Sequence, residues 1–263
     1  MMHVAGYCLA VVTGLSLGLI GGGGAILTIP VLVFFFGIEP ATAVTYSLFI
    51  VGLTALSGTV NHYRLRNIDY KTVLLFGIPS VLALFIMRRW LINLIPAVIF
   101  QSGGLVIAKS LFIMIIFSIL MLLAGWSMIK QDTYNAGNEK YRFIRLIIQG
   151  CATGAVTGFI GIGGGFIIVP SLVLFAGLPI KKAIGTSLTI IILNCTVGLL
   201  GNLEKTAALD FTFLVTFAAY AILGILLGTW ATRFIPDKKL KPIFGWIILT
   251  MSIVVFIRIF WTY

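Results

Sequence analysis

The chain of 263 residues is 60% hydrophobic and only 10% charged, with a mean hydropathy of +1.15. So few polar groups cannot cover the surface of a soluble domain of this size, and the composition leaves an integral membrane protein. The net charge of +11 lies in residues flanking apolar runs, so it reads as a topology signal and a contact to anionic lipid headgroups rather than as a nucleic-acid surface.

The apolar runs are long and continuous rather than alternating, which predicts helices and not a β-barrel. The expected fold class is an all-α polytopic membrane protein. The start, MMHVAGYCLA, has no Lys or Arg ahead of its apolar run and no cleavage site, so it reads as the first membrane element rather than a removable signal. Residues 4–36 form the first apolar unit. As one straight helix it would be about 50 Å long, against a hydrocarbon core of about 30 Å. It is too long for a simple span and too short for two full spans with a turn. Residues 41–60 form a second span, closed by Asn61-His62-Tyr63-Arg64-Leu65-Arg66, with His62 expected at the interface. Residues 71–87 form a third, ended by Arg88 and Arg89, and 111–129 a fourth. The stretch 90–109, with Pro96 and Gly103-Gly104, is less regular and is expected partly in the interface.

The hydrophilic segment 131–145 divides the chain, and the plan then repeats: 146–176, 183–200, 211–231 and 242–260. The stretch 14–37, GLSLGLIGGGGAILTIPVLVFFFG, returns as 154–177, GAVTGFIGIGGGFIIVPSLVLFAG. Aligned without a gap, 14–58 and 154–198 share 17 identities. The expected units are therefore two membrane repeats, 1–130 and 146–263, joined by a linker, with a site between them. If the glycine unit crosses once, the 18 Lys and Arg divide nine and nine between the two sides. If it enters and returns as a helix–break–helix hairpin, they divide 13 against 5. The positive-inside rule favours the hairpin, hence an inverted repeat with both termini outside.

The two glycine clusters are the principal site candidates. Gly14-x-x-x-Gly18 and Gly154-x-x-x-Gly158 fit close helix packing. Gly21, Gly22, Gly23 and Gly24, with Gly163, Gly164 and Gly165, exceed what packing needs. Where a helix restarts after such a break, its first N–H groups are unpaired and its dipole end is positive. Two restarts meeting near the midplane would hold an anion without a bare cation in the membrane; packing alone is the competing reading. Pro30 and Pro170 are expected to bend the returning half-helices as helix-break or gating elements. Thr45, Tyr46 and Ser47 begin the second span, and Thr186 and Ser187 hold equivalent places in the repeat. These hydroxyls either back-bond within their own helices or touch the ligand. Asn194, inside an apolar segment, either bridges helices or lines the pathway.

The seven carboxylates all lie at or beyond segment ends, which disfavours a carboxylate proton relay or a buried cation site. An inside-negative potential favours anion exit by about 2.3 kcal/mol per charge per 100 mV. Cys8, Cys151 and Cys195 stand singly. No metal or cofactor is expected, and no enzyme. Gly14-Leu15-Ser16-Leu17-Gly18 matches a hydrolase elbow only by letter, since its repeat lacks the serine.

Two copies of a G-x-x-x-G-x-x-G-x-G-G unit, each with a following Pro and closing Gly and then a hydroxyl-rich helix start, resemble the TauE/SafE sulfite exporter family across essentially the whole chain. The resemblance implies a multi-pass permease of the inner (plasma) membrane for sulfite, a related sulfur oxyanion or an organosulfonate. Export, by alternating access between the repeats, is the expectation from the membrane potential, since the family settles neither substrate nor direction. It implies a substrate region at Gly21 to Gly24 with Thr45 to Ser47, and at Gly163 to Gly165 with Thr186 and Ser187. The expected partners are a small-molecule anion and membrane lipid, not nucleic acid; homo-oligomerisation stays open. A non-transporting membrane scaffold and an anion channel are the alternatives. Ala25 stands where the second copy has Gly165, and Gly22 is matched by Ile162, so the half-sites are not equivalent.

Overall fold

A computed structural model describes residues 2–91, 98–102, 105–130, 139–160, 165–201 and 210–262. Gly163 and Gly164 lie outside the described residues. Helix α1 (Met2–Ile20) runs into the first glycine cluster and stops there. Gly21 has φ +72°, a left-handed conformation that strains any residue with a Cβ, and its N–H closes onto the Leu17 carbonyl at 2.7 Å. Helix α2 (Gly23–Phe36) then starts afresh and folds back along α1. Gly24 near its start lies against Thr13 and Leu17, while Phe36 at its end reaches Gly6 and Tyr7 near the beginning of α1. The 4–36 unit is thus a helical hairpin with its bend in the glycines. Pro30 lies inside α2.

Helix α3 (Pro40–Arg64) crosses the molecule. Helix α4 follows in four continuous pieces, Tyr70–Thr72, Ile78–Ile86 and two π segments, Val73–Gly77 and Met87–Leu91. Within the irregular 90–109 stretch, strands β1 (Val98–Ser102) and β2 (Leu105–Ala108) pair as a short antiparallel hairpin, the one addition to the helical body among the described residues. Helices α5 (Lys109–Ile129), α6 (Glu139–Ile160), α7 (Gly165–Leu174, containing Pro170), α8 (Ile180–Leu200), α9 (Phe211–Ala231) and α10 (Asp237–Thr262) complete the chain. Within α3, α4, α8 and α9 run apolar stretches long enough to cross a bilayer, Thr42–Arg64, Tyr70–Trp90, Ile180–Leu200 and Phe211–Ala231. Shorter apolar helices accompany them, as in a multi-pass membrane protein.

The two halves interlock. Helix α1 packs chiefly on α9, and α6, its counterpart in the second repeat, packs on α4; α3 pairs with α8, and α5 with α10. Small residues make these contacts possible because lipid gives helices no hydrophobic reason to associate, leaving van der Waals packing to hold them. A Cβ on Gly14 would strike the Ala221 carbonyl, and one on Gly154 the Ser80 carbonyl. One on Gly18 would lie 2.6 Å from the Ile225 oxygen, and one on Gly158 2.8 Å from the Leu84 oxygen. These four glycines are packing residues, as their spacing predicts. Gly14→Leu and Gly154→Leu should each prevent assembly, read as loss of the monodisperse peak in detergent size-exclusion chromatography.

The contacts also gather basic residues. The Lys181 ammonium meets the Asp237 carboxylate at 3.6 Å, the Arg233 guanidinium donates to Asn61 Oδ1 at 3.4 Å, and Gly185 lies against Asn67. The end of α3 and the starts of α4, α8 and α10 therefore share one face with Arg64, Arg66, Lys71, Lys181, Lys182, Lys238 and Lys239. The α2–α3 connection and the start of α9 occupy the opposite face, together with the start of α1.

Candidate functional site

The two glycine clusters meet. A Cβ on Gly165, the first residue of α7, would lie 2.7 Å from the Gly22 Cα and 3.0 Å from its carbonyl oxygen. Gly165 of α7 thus abuts the break that precedes α2, so a glycine of each cluster, one from each half of the chain, stands at this point. The N-terminal turn of α2 leaves donors without intrahelical partners at this junction. Gly22 before α2 offers no side chain to cap them.

Helices α3 and α8 cross behind the junction, and α8 presents a regular stripe to it. The Ser187 hydroxyl faces the Gly21 carbonyl at 2.7 Å and the Ile184 carbonyl at 2.8 Å, its single proton serving either. One turn on, Ile191 Cδ1 lies 2.7 Å from the Gly165 Cβ position. Asn194 follows on that stripe. It is fully buried, and neither its amide nitrogen nor its oxygen has a partner among the described residues. An unpaired amide in an apolar interior is costly, which marks the position as more than packing. The equivalent stripe of α3 holds Ser47, Val51 and Thr54. Ser47 donates to the Val44 carbonyl at 2.8 Å, within its own helix.

Tyr46 and Thr186 hold equivalent places in the two repeats, and the structure gives them matching roles. The Tyr46 hydroxyl accepts the backbone N–H of Asp210 at 3.0 Å, and the Thr186 hydroxyl accepts that of Asp69, also at 3.0 Å. Asp210 and Asp69 in turn cap their helices, accepting from Phe213 N–H and Thr72 N–H. Each bond ties the start of α3 or α8 to the start of α9 or α4, at opposite faces of the molecule. Tyr46→Phe and Thr186→Val should each cost about 1 kcal/mol of stability, the net worth of one such bond, measured as a lowered melting temperature in detergent. Thr45 is buried, with no partner for its hydroxyl among the described residues.

Apart from Tyr46, the residues that line the outer cavity carry no mark in the sequence. Tyr7, Phe36, Tyr46 and Phe213, with Ile38, Asp210, Thr212 and Thr216, line a cavity of about 460 Å³ at the face where α1 begins. The aromatic rings touch one another, Tyr7 on Phe36 at 5.4 Å and Phe36 on Phe213 at 4.9 Å between centroids. Arg88, expected to end a span, turns inward and donates to the Gly198 carbonyl of α8 at 3.1 Å. His62, expected at the interface, is only 1% exposed and packs against Gly185. No group of His, Cys, Asp and Glu able to hold a metal occurs among the described residues.

Comparison with known proteins gives a consistent result. The sequence profile of the family described as "Sulfite exporter TauE/SafE" matches residues 7–255. A "Probable membrane transporter protein" of Xylella fastidiosa (strain 9a5c) is 31% identical over 255 residues, covering 93% of this chain and 91% of the relative. The "Probable membrane transporter protein YdhB" of Bacillus subtilis (strain 168) is 30% identical over 230 residues, covering 87% and 89%. A "Probable membrane transporter protein" of the archaeon Methanocaldococcus jannaschii is 27% identical over 205 residues, covering 74% and 72%. No solved structure matches.

Proposed function

We propose, from the premise that this chain belongs to the TauE/SafE sulfite exporter family and is a membrane transporter, that the junction of its two glycine breaks is the binding site for a small anion. Sulfite, thiosulfate or a short organosulfonate is the substrate class, and export is the direction. The observation that carries this reading is the abutment of Gly165 on Gly22, which sets the second glycine cluster, and the helix restart proposed for it, against the first. Backbone N–H groups and positive dipole ends suit a diffuse negative charge on sulfur-bound oxygens. Asn194 supplies an uncommitted amide beside them, and Ser187 supplies a hydroxyl. Gly163 and Gly164 belong to the same proposed site by their place in the repeat.

The two repeats, 1–130 and 146–263, are read as inverted. The back-folded α1–α2 hairpin supports this, because a unit that returns to its own side leaves three net crossings per half. The basic clustering at the ends of α3 and α9 supports it too, and on the positive-inside rule that face is read as cytoplasmic. Alternating access then consists of exchanging the Tyr46–Asp210 and Thr186–Asp69 ties at opposite faces. Pro30 and Pro170 let the half-helices bend without breaking hydrogen bonds that a straight helix would need. A transporter of this design needs no resident cofactor and performs no chemistry on its cargo.

Purified protein in liposomes, loaded with sulfite, thiosulfate or methanesulfonate, tests the reading. Saturable efflux of at least one of them is expected. Conductance that never saturates would favour a channel, and no movement of any of them would remove this substrate class.

A further inference from the structure

We propose that the anion passes between the glycine junction and the face where α1 begins, its exit in export, through a closed neck lined by Thr13, Thr28 and Thr54. The aromatic cavity at that face is bounded by α1, the end of α2, α3 and α9. Further in, the same four helices enclose a second void of about 10 Å³, bounded by the three threonines and by Gly14 and Gly24 among others. That volume admits a single water at most. Both spaces are lined by the same four helices, and the lining of the inner one includes Gly24, inside the first glycine cluster.

The neck is polar in a way that its apolar helices do not require. Thr13 donates to the Ala10 carbonyl at 2.7 Å, Thr28 to the Gly24 carbonyl at 2.8 Å and Thr54 to the Ile50 carbonyl at 2.6 Å. Back-bonded threonines are ordinary in membrane helices. Here three of them, from three different helices, are buried around one void. Each bonded carbonyl has a second lone pair for its helical N–H, so a hydroxyl that swings into the void orphans no backbone group. The neck can therefore present three donors to a passing anion and take them back afterwards. Its counterpart in the second repeat is chemically different, because Asn194 stands where the first repeat has Thr54 and Ile168 where it has Thr28.

This route rests on the reading of the glycine junction as the anion site, and the two can be tested apart. In a background with Cys8, Cys151 and Cys195 changed to alanine, single cysteines are placed at Tyr46, Thr28, Thr54 and, as a lipid-facing control, Leu56. A membrane-impermeant anionic methanethiosulfonate is then applied to each face in turn. Thr28→Cys and Thr54→Cys should label from the face where α1 begins, slowed by saturating methanesulfonate, while Leu56→Cys stays unlabelled. Labelling of Tyr46→Cys with neither neck cysteine reacting from either face would overturn the route and make the outer cavity a blind pocket. Labelling of the neck in a protein that moves none of the anions would uphold the route and overturn the anion site. Thr28→Val and Thr54→Val, which keep shape and remove the hydroxyl, should each lower flux about tenfold, the worth of one hydrogen bond to a charge. Serine at either position should restore it. Wild-type flux in both valine variants would contradict the role given to the hydroxyls.

Discussion

Gly165→Val should reduce anion flux to below about 1% of wild type, because the valine cannot enter without separating the two helix restarts. Its Cβ would stand 2.7 Å from the Gly22 Cα and 2.7 Å from Ile191 Cδ1. The isoleucine can turn aside, but the Gly22 backbone is fixed by the left-handed Gly21 before it and by α2 after it. Gly165→Ala already introduces the clash and should show an intermediate loss. Gly201→Val is the control, since a Cβ there meets nothing closer than 3.5 Å among the described residues and lies at the exposed end of α8. Flux is normalised to folded protein by size-exclusion chromatography and circular dichroism. Full flux in folded Gly165→Val would show that the junction is packing and no more.

Asn194→Leu should separate stability from activity. The side chain is fully buried, and both of its polar atoms lack partners among the described residues. Exchanging it for an apolar residue of similar size removes an unmet desolvation cost of about 1–3 kcal/mol. The melting temperature in detergent should therefore rise or hold. The same change removes a donor that the anion is proposed to use, so flux should fall at least about tenfold. A purely structural asparagine would behave oppositely, its loss lowering stability and leaving the transport rate per folded molecule intact. Such a trade of stability for function is expected where a site must stay unsatisfied until its ligand arrives.

Much of the architecture is legible in the sequence because glycine states backbone requirements directly. Four consecutive glycines cannot continue a helix cheaply, and the chain breaks at Gly21 and Gly22, then restarts at Gly23. The small-residue spacing of Gly14 and Gly18 likewise predicts a close helix contact, and its partner, α9, is given only by the structure. The repeat itself foretells that Tyr46 and Thr186 will share a role, although not that each will brace the start of a helix from the other half. That information resides in Asp69 and Asp210, which in sequence look only like loop residues. The faces of the helices are the least legible part. In a uniformly apolar helix the hydrophobic period that normally marks the buried side is absent. Nothing in the sequence separates Leu56, on the lipid side of α3, from Ile50, which is packed inside. The inward turn of Arg88, the burial of His62 and the convergence of Tyr7, Phe36 and Phe213 on one cavity all depend on that hidden choice of face.

The most direct test of the account is the position of a bound anion. Selenite, a sulfite analogue with an anomalous scatterer at its centre, can be soaked into crystals of the protein. The account predicts a selenium peak at the junction of Gly22 and Gly165, with its oxygens within hydrogen-bond reach of the first N–H groups of α2 and α7. Selenium found only in the aromatic outer cavity, or nowhere at saturating selenite, would contradict it.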